Sequence, residues 1–152
     1  AATGPAHLPP HGMAGRRVVG PNTGAGVTRP GSGTEPAAHV LPHDRRTGMS
    51  CTFTTQPLIR RLYGRAIAGH PRDDRWAEHA KLLPGFTGAR QFFELDIDLV
   101  QTSCGYAVPF FEFKGERSTL TKWAKNKGRD GIEAYWDEKN KVSLDGFDTE
   151  IS

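Results

Sequence analysis

Residues 92–99 constrain the fold of this chain more than any other segment. Within them, large apolar side chains alternate with the carboxylates of Glu94, Asp96 and Asp98. Side chains of a β-strand point alternately to its two faces, so a period of two predicts a strand with one buried face and one wet face. We therefore expect a strand over residues 91–100.

A polar turn follows this strand and leads into a second apolar run. Gln101, Thr102 and Ser103 precede Gly105, and residues 106–113 are again mostly apolar. We expect residues 106–113 to form the partner strand of a pair. Two strands joined through hydroxyl and amide side chains form a wall with hydrogen-bonding groups at its rim, which suits a planar ligand.

Weaker patterns predict the other elements. Strands are expected at 16–19, 49–54 and 58–68, and helices at 34–41, 73–83, 118–127 and 130–140. Thr34 is expected to cap the first helix, with Pro36 in its first turn and Pro42 marking its end. Residues 1–14 are expected to be irregular, and residues 23–33 to be a loop or a poor strand because they hold few strand-forming side chains.

These elements predict a mainly β protein with flanking helices. Several strands interrupted by short helices, with glycine-marked turns, fit a small barrel with helices packed outside it. A doubly wound parallel sheet would need a helix after every strand, and the strand pair around Gly105 lacks one. The length of 152 residues predicts one domain, 1–152. Its core is expected in residues 49–152, because all fourteen aromatic residues lie at or after Phe53, whereas the proline-rich residues 1–48 are expected to be irregular.

Composition narrows the expected partners. Residues 1–75 hold ten arginines against four acidic residues, but the arginines lack interleaved aromatic side chains, which argues against nucleic acid. No apolar run reaches membrane-spanning length and no leader pattern opens the sequence, so neither insertion nor export is expected.

The cysteines and histidines also carry expectations. Cys51 and Cys104 are too few for a disulfide framework, so a reduced, cytoplasmic protein is expected. No base is placed beside Cys104, and we expect it to be a partly buried thiol. Prolines interrupt both histidine pairs spaced four residues apart, so no metal site is expected.

Four blocks carry a family resemblance: FTTQPLIRRLYGRA (53–66), LDIDLVQTSCGYAVPFFEFKGER (95–117), TLTKWAKNKG (119–128) and EKNKVSLDG (138–146). In this order they resemble the pyridoxamine 5′-phosphate oxidase-like proteins of the FMN-binding split-barrel superfamily, and the resemblance extends with uneven quality over nearly the whole chain. Before them only fragments such as VVGPN and GSG resemble the family, and the N-terminal part looks eroded or truncated. The resemblance implies a split β-barrel.

The same resemblance implies FMN as the cofactor, with deazaflavin or haem as the alternatives hosted by relatives. The residues implied are His11, Ser32, Gly33, Thr34 and one of Arg60 or Arg61 for the phosphate, and Gln101, Thr102, Ser103 and Gly105 for the ring. Adjacent residues of a strand point to opposite faces, so at most one of Arg60 and Arg61 can face the site. His11 stands where the family has a phosphate-facing lysine, and weakened FMN binding is therefore expected.

Two functions stay open. The first is a flavin-dependent oxidoreductase acting on an unidentified small molecule, and the second is a non-catalytic split-barrel protein that binds flavin weakly, another ligand or none. A flavin carries the redox chemistry itself, so no catalytic residue is assigned. A homodimer is expected because pairing covers open sheet edges and a shallow ligand groove, with residues 110–113 and the terminal helices as contacts.

Overall fold

The computed structural model describes residues 13–18, 21–82 and 87–151; for residues 13–18 and residue 82 it describes the backbone alone. His11, and most of the segment expected to be irregular at 1–14, lie outside these ranges. The elements follow in the order β1 (Met13–Val18), β2 (Thr23–Thr28), α1 (Glu35–His43), β3 (Arg45–Cys51), β4 (Leu58–Gly69), α2 (Trp76–Leu82), β5 (Gln91–Cys104) and α3 (Thr119–Lys139).

The strands form one antiparallel five-stranded sheet in the order β1-β2-β5-β4-β3. The prediction of a mainly β protein with flanking helices is confirmed. The sheet is open across the described residues, with β1 and β3 at its edges. None of the helices in the described ranges combines the length and apolar character needed to cross a membrane.

The central pair of strands, β4 and β5, contains a bulge that exchanges the two faces of the sheet. Tyr63 pairs with Leu99, whereas the next residue, Gly64, pairs with Ile97. Tyr63 and Gly64 are adjacent, so they point to opposite faces, and so do their partners Leu99 and Ile97. In a regular strand, residues two apart point to the same face, so the extra residue between Leu99 and Ile97 exchanges the two faces of β5. A Cβ on Gly64 would lie 1.9 Å from the carbonyl oxygen of Asp96, so only glycine allows β5 to approach this closely.

The core covers only the first part of β5. Phe93 packs with Ala66 of β4 and with Ala37 and Val40 of α1, and Phe92 packs on the other face with Val27. These six side chains are buried. The beginning of β5 is therefore covered on both faces, which corrects the expectation of one wet face there.

The end of β5 is uncovered on both faces. Leu99 and Val100 are 56% and 53% exposed. The pairing of β2 with β5 ends at Asp96, and among the described residues no strand pairs with that edge of β5 over residues 98–104. The alternation of apolar and acidic residues therefore gives one solvent-exposed and one covered face only in the middle of β5, over residues 95–98.

The predicted strand at 106–113 is wrong. The chain turns at Gly105 and runs without regular structure, and Phe111 donates one backbone hydrogen bond to Phe53 at 3.2 Å. Pro109 has no N–H for a sheet ladder, which disfavours a strand here. The segment consequently crosses the β3–β4 turn instead of pairing with β5.

Residues 23–28 form a strand where a loop or poor strand was expected. Gly24, Ala25 and Gly26 have little intrinsic strand preference, but they lie between β1 and β5, and the hydrogen bonds of two neighbours compensate. Helix α1 also continues past Pro42 to His43. It ends at Asp44, which has φ 48° and donates its N–H to the carbonyl oxygen of Val40 at 2.8 Å.

The remaining predictions of helices and strands hold with shifted ends. The two helices expected at 118–127 and 130–140 are both present within α3, separated at Gly128 by a non-helical backbone with φ 67° and ψ −179°. Glycine tolerates this positive φ at little cost. The strands expected at 16–19, 49–54 and 58–68 correspond to β1, β3 and β4, and the helix expected at 73–83 corresponds to α2.

Candidate functional site

Four polar side chains share one face of the uncovered end of β4 and β5. Arg61 donates from Nη1 to Oγ of Ser103 at 3.0 Å, and the Tyr63 hydroxyl donates to Oε1 of Gln101 at 3.1 Å. Arg61 and Gln101 are direct cross-strand partners, so their side chains point the same way. We call this group, Arg61, Tyr63, Gln101 and Ser103, the Arg61 face.

Arg60 and Thr102 lie on the opposite face of the same strands. They are cross-strand partners, and Ser50 of β3 continues their row. The Arg60 side chain is exposed and makes no hydrogen bond or ion pair within the described part of the chain. Adjacent residues of a strand point to opposite faces, so Arg60 and Arg61 cannot serve one site. For the same reason, Thr102 faces away from Gln101 and Ser103.

Gly105 has a packing role at the end of β5. A Cβ at this position would lie 2.7 Å from the backbone nitrogen of Leu58, at the start of β4. Gly105 is buried, and its carbonyl accepts the Val108 N–H at 2.8 Å. The absence of a side chain at Gly105 therefore lets the chain pass close to the start of β4. The space that a side chain would need is filled by backbone atoms of residues 57 and 58.

The loop expected to hold a phosphate, Gly31–Thr34, is tied down by two residues that sequence reasoning missed. Arg90 donates to the carbonyls of Gly31 at 2.7 Å and Gly33 at 2.6 Å, and Asn140 donates to Gly31 at 2.9 Å. Burial lowers the pKa of Arg90. These three contacts span 57 to 109 residues of sequence, so no local pattern could have indicated them.

A carboxylate already occupies the helix N-terminus beside this loop. Glu35 accepts the Thr34 N–H at 3.0 Å and the Leu144 N–H at 3.1 Å. The hydrogen bond from Leu144 is the main cause of the lowered pKa of Glu35. Ser32 and Gly33 are exposed, whereas Thr34 is buried. The negative charge that a phosphate would bring to α1 is thus supplied by the protein itself.

The loop and the Arg61 face lie at opposite ends of β5. Arg90 holds the loop and immediately precedes Gln91, the first residue of the strand. Ten residues separate Gln91 from Gln101, or roughly 33 Å at the usual rise of about 3.3 Å per residue. The two halves of the expected site are therefore well separated along β5.

The other reactive side chains of the described ranges show no metal-binding arrangement. No group of three or more histidines, cysteines and acidic residues within the described ranges is arranged to hold a metal ion. Cys51 and Cys104 are free thiols. Cys104 is exposed, which corrects the expected partial burial, because the end of β5 is uncovered. His39 is paired with Asp145 at 2.9 Å instead of with a second histidine.

Comparison with known proteins agrees with the motifs. The chain is similar to the pyridoxamine 5′-phosphate oxidase family protein ustO of Aspergillus flavus, with 32% identity over 147 residues. The alignment covers 86% of this chain and 58% of the relative, so the chain spans less than two thirds of the relative's length. No family model matches the chain, and no solved structure matches it. The similarity supports the pyridoxamine 5′-phosphate oxidase family.

Proposed function

We propose that this chain is a member of the pyridoxamine 5′-phosphate oxidase family that binds FMN against the Arg61 face and acts as a flavin-dependent oxidoreductase on a small molecule. The observation that carries the proposal is the polar row of Arg61, Tyr63, Gln101 and Ser103 on an uncovered sheet end. That row comes from block 95–117, in which the motif resemblance is strongest, and from block 53–66, in which it is good.

The chemistry of the Arg61 face fits FMN. The guanidinium of Arg61 offers a planar fork of donors for the phosphate or the carbonyl edge of the ring. The hydroxyls and the amide of Tyr63, Ser103 and Gln101 can each donate and accept, as the alternating donors and acceptors of a flavin edge require. When bound, FMN supplies the electron transfer, and these side chains orient it and shape the space for the substrate.

A second subunit completes the proposed site. The unpaired edge of β5 at residues 98–104 and the exposed side chains of Leu99, Val100, Phe110 and Phe113 are surfaces that soluble proteins normally cover. A homodimer built on them closes the sheet toward a split barrel. It also lets a second subunit supply phosphate contacts to the Arg61 face.

The two arginines provide a matched pair for testing this assignment. Arg61→Met should weaken FMN binding about ten- to a hundred-fold, the usual effect of losing one charged hydrogen bond. Arg60→Met removes the same charge from the neighbouring position on the opposite face, and should leave affinity nearly unchanged. Flavin fluorescence titration of both variants measures this. A loss in Arg60→Met with none in Arg61→Met would place the cofactor on the other face.

The second candidate function is a non-catalytic split-barrel protein. It is favoured by the carboxylate of Glu35, which takes the place of a phosphate at α1, and by His11 in place of the family lysine. A visible spectrum of the purified protein, with mass analysis of released cofactor, separates the candidates. Bound FMN supports the oxidoreductase; deazaflavin, haem, or a protein that stays colourless after FMN is added supports the alternative.

A further inference from the structure

A cleft of about 380 Å³ lies between the loop after β4, the second half of α3 and the end of the described chain. Its volume falls in the range of about 300–1,000 Å³ that is usual for small-molecule sites. The cleft is separate from the Arg61 face. Its His70 contacts the side chain of Gln91 at the start of β5, whereas Gln101 and Ser103 lie toward the end of that strand.

The cleft contains one cation without a carboxylate partner. Its two carboxylates already form ion pairs: Glu133 with Arg129 at 2.9 Å and Asp137 with Lys141 at 3.0 Å. Arg72 differs, because its guanidinium donates to the backbone carbonyl of Glu150 and forms no ion pair with a carboxylate of the described chain. A guanidinium has five N–H donors, so Arg72 keeps both charge and donors for an anion.

The rest of the cleft is suited to a flat apolar group. Trp136, Pro71 and Ile151 contribute apolar surface beside Arg72. The Trp136 indole N–H is buried and has no acceptor among the described residues. His70 is also buried, and its pKa is lowered mainly because burial disfavours the cation. The imidazole is therefore neutral near pH 7, and Arg72 carries the uncompensated charge.

We propose that this cleft is a second ligand site that binds a small aromatic monocarboxylate, with its ring against Trp136 and its carboxylate on Arg72. An aromatic ring gains from stacking on indole, and a guanidinium recognises a carboxylate through two parallel hydrogen bonds. The site is independent of flavin binding, because no residue of the Arg61 face takes part.

A matched pair of probes tests the proposal. Indole-3-carboxylate and its uncharged amide, indole-3-carboxamide, have nearly the same shape and differ in charge. Each is titrated into the ¹⁵N-labelled full chain, and the three indole N–H signals are assigned with Trp76→Phe, Trp123→Phe and Trp136→Phe. The carboxylate should shift the Trp136 signal saturably, with about ten- to a hundred-fold higher affinity than the amide.

Variants of two arginines locate the carboxylate. Arg72→Met should reduce the affinity for indole-3-carboxylate to that for the amide. Arg117→Met removes another exposed positive charge outside the cleft, so it should leave the affinity for indole-3-carboxylate unchanged. Both positions are on the surface, and the unchanged remainder of the spectrum reports an intact fold. Equal affinity for the two probes, full affinity in Arg72→Met, or no saturable shift of Trp136 would each overturn the proposal.

Discussion

Replacing Gly64 with alanine should strongly destabilise the protein, because the added methyl group has no room at the bulge between β4 and β5. The new Cβ would lie 1.9 Å from the Asp96 carbonyl oxygen and 3.0 Å from the Ile97 Cα, and both contacts are with backbone. Normal contact requires the strands to separate by more than about 1 Å. Overpacking of this kind costs about 1–3 kcal/mol. Weakening one or two ladder hydrogen bonds adds about 1 kcal/mol each.

The same substitution at Gly48 is the matched control. Gly48 lies in β3, and the nearest atom to its added Cβ is the Leu62 Cβ at an ordinary 3.8 Å. Because alanine fits here without a clash and lowers the conformational entropy of the unfolded chain, Gly48→Ala should stabilise the folded protein by about 0.5–1 kcal/mol. Urea unfolding followed by tryptophan fluorescence should therefore give changes of opposite sign, with a loss of about 2–5 kcal/mol for Gly64→Ala. Equal effects in the two variants would refute the register Tyr63–Leu99 and Gly64–Ile97, and with it the composition of the Arg61 face.

Three further predictions concern the scaffold around the site. Gly105→Ala should destabilise the protein by about 1–3 kcal/mol in the same urea assay, because its Cβ meets the backbone of β4. Arg90→Met should release the Gly31–Thr34 loop, seen as faster amide hydrogen exchange at Ser32 and Gly33, whereas unchanged exchange would show that Arg90 does not hold the loop. The depressed pKa of His70 means that the unfolded state takes up a proton before the folded state does as pH falls below about 6.5. The stability contributed by neutral His70 is therefore fully present above that pH, and it is lost as the pH falls through the pKa of the folded state. The free energy of unfolding of His70→Gln should accordingly depend less on pH between pH 7 and 5 than that of the parent protein.

The sequence predicted the central strands well because their signals are local. The alternation in residues 92–99 and the apolar run around Tyr63 each identify a strand without reference to the rest of the chain. Strand β2 could be predicted only as a loop or a poor strand, because Gly24, Ala25 and Gly26 are poor strand formers. The hydrogen bonds of the two neighbouring strands hold these residues in a strand. The segment 106–113 was assigned wrongly because its apolar composition outweighed the missing N–H of Pro109.

The candidate site was predictable only in part. Gln101 and Ser103 were expected on the ring side of the site and one of the two adjacent arginines on the phosphate side. Alternation already required Arg60 and Arg61 to point to opposite faces. Which arginine shares a face with Gln101 depends on the register of β4 against β5, which is set by long-range pairing. The loop contacts of Arg90 and Asn140 bridge residues far apart in sequence, so only the folded structure reveals them.

The most direct test of the central claim is equilibrium titration of the purified chain with FMN and with riboflavin, followed by flavin fluorescence. The account predicts saturation at one FMN per chain. Riboflavin lacks the phosphate, so it should bind at least about ten-fold more weakly. Failure of FMN to saturate, or saturation that Arg61→Met leaves unchanged, would contradict the assignment of this chain as a flavin protein that uses the Arg61 face.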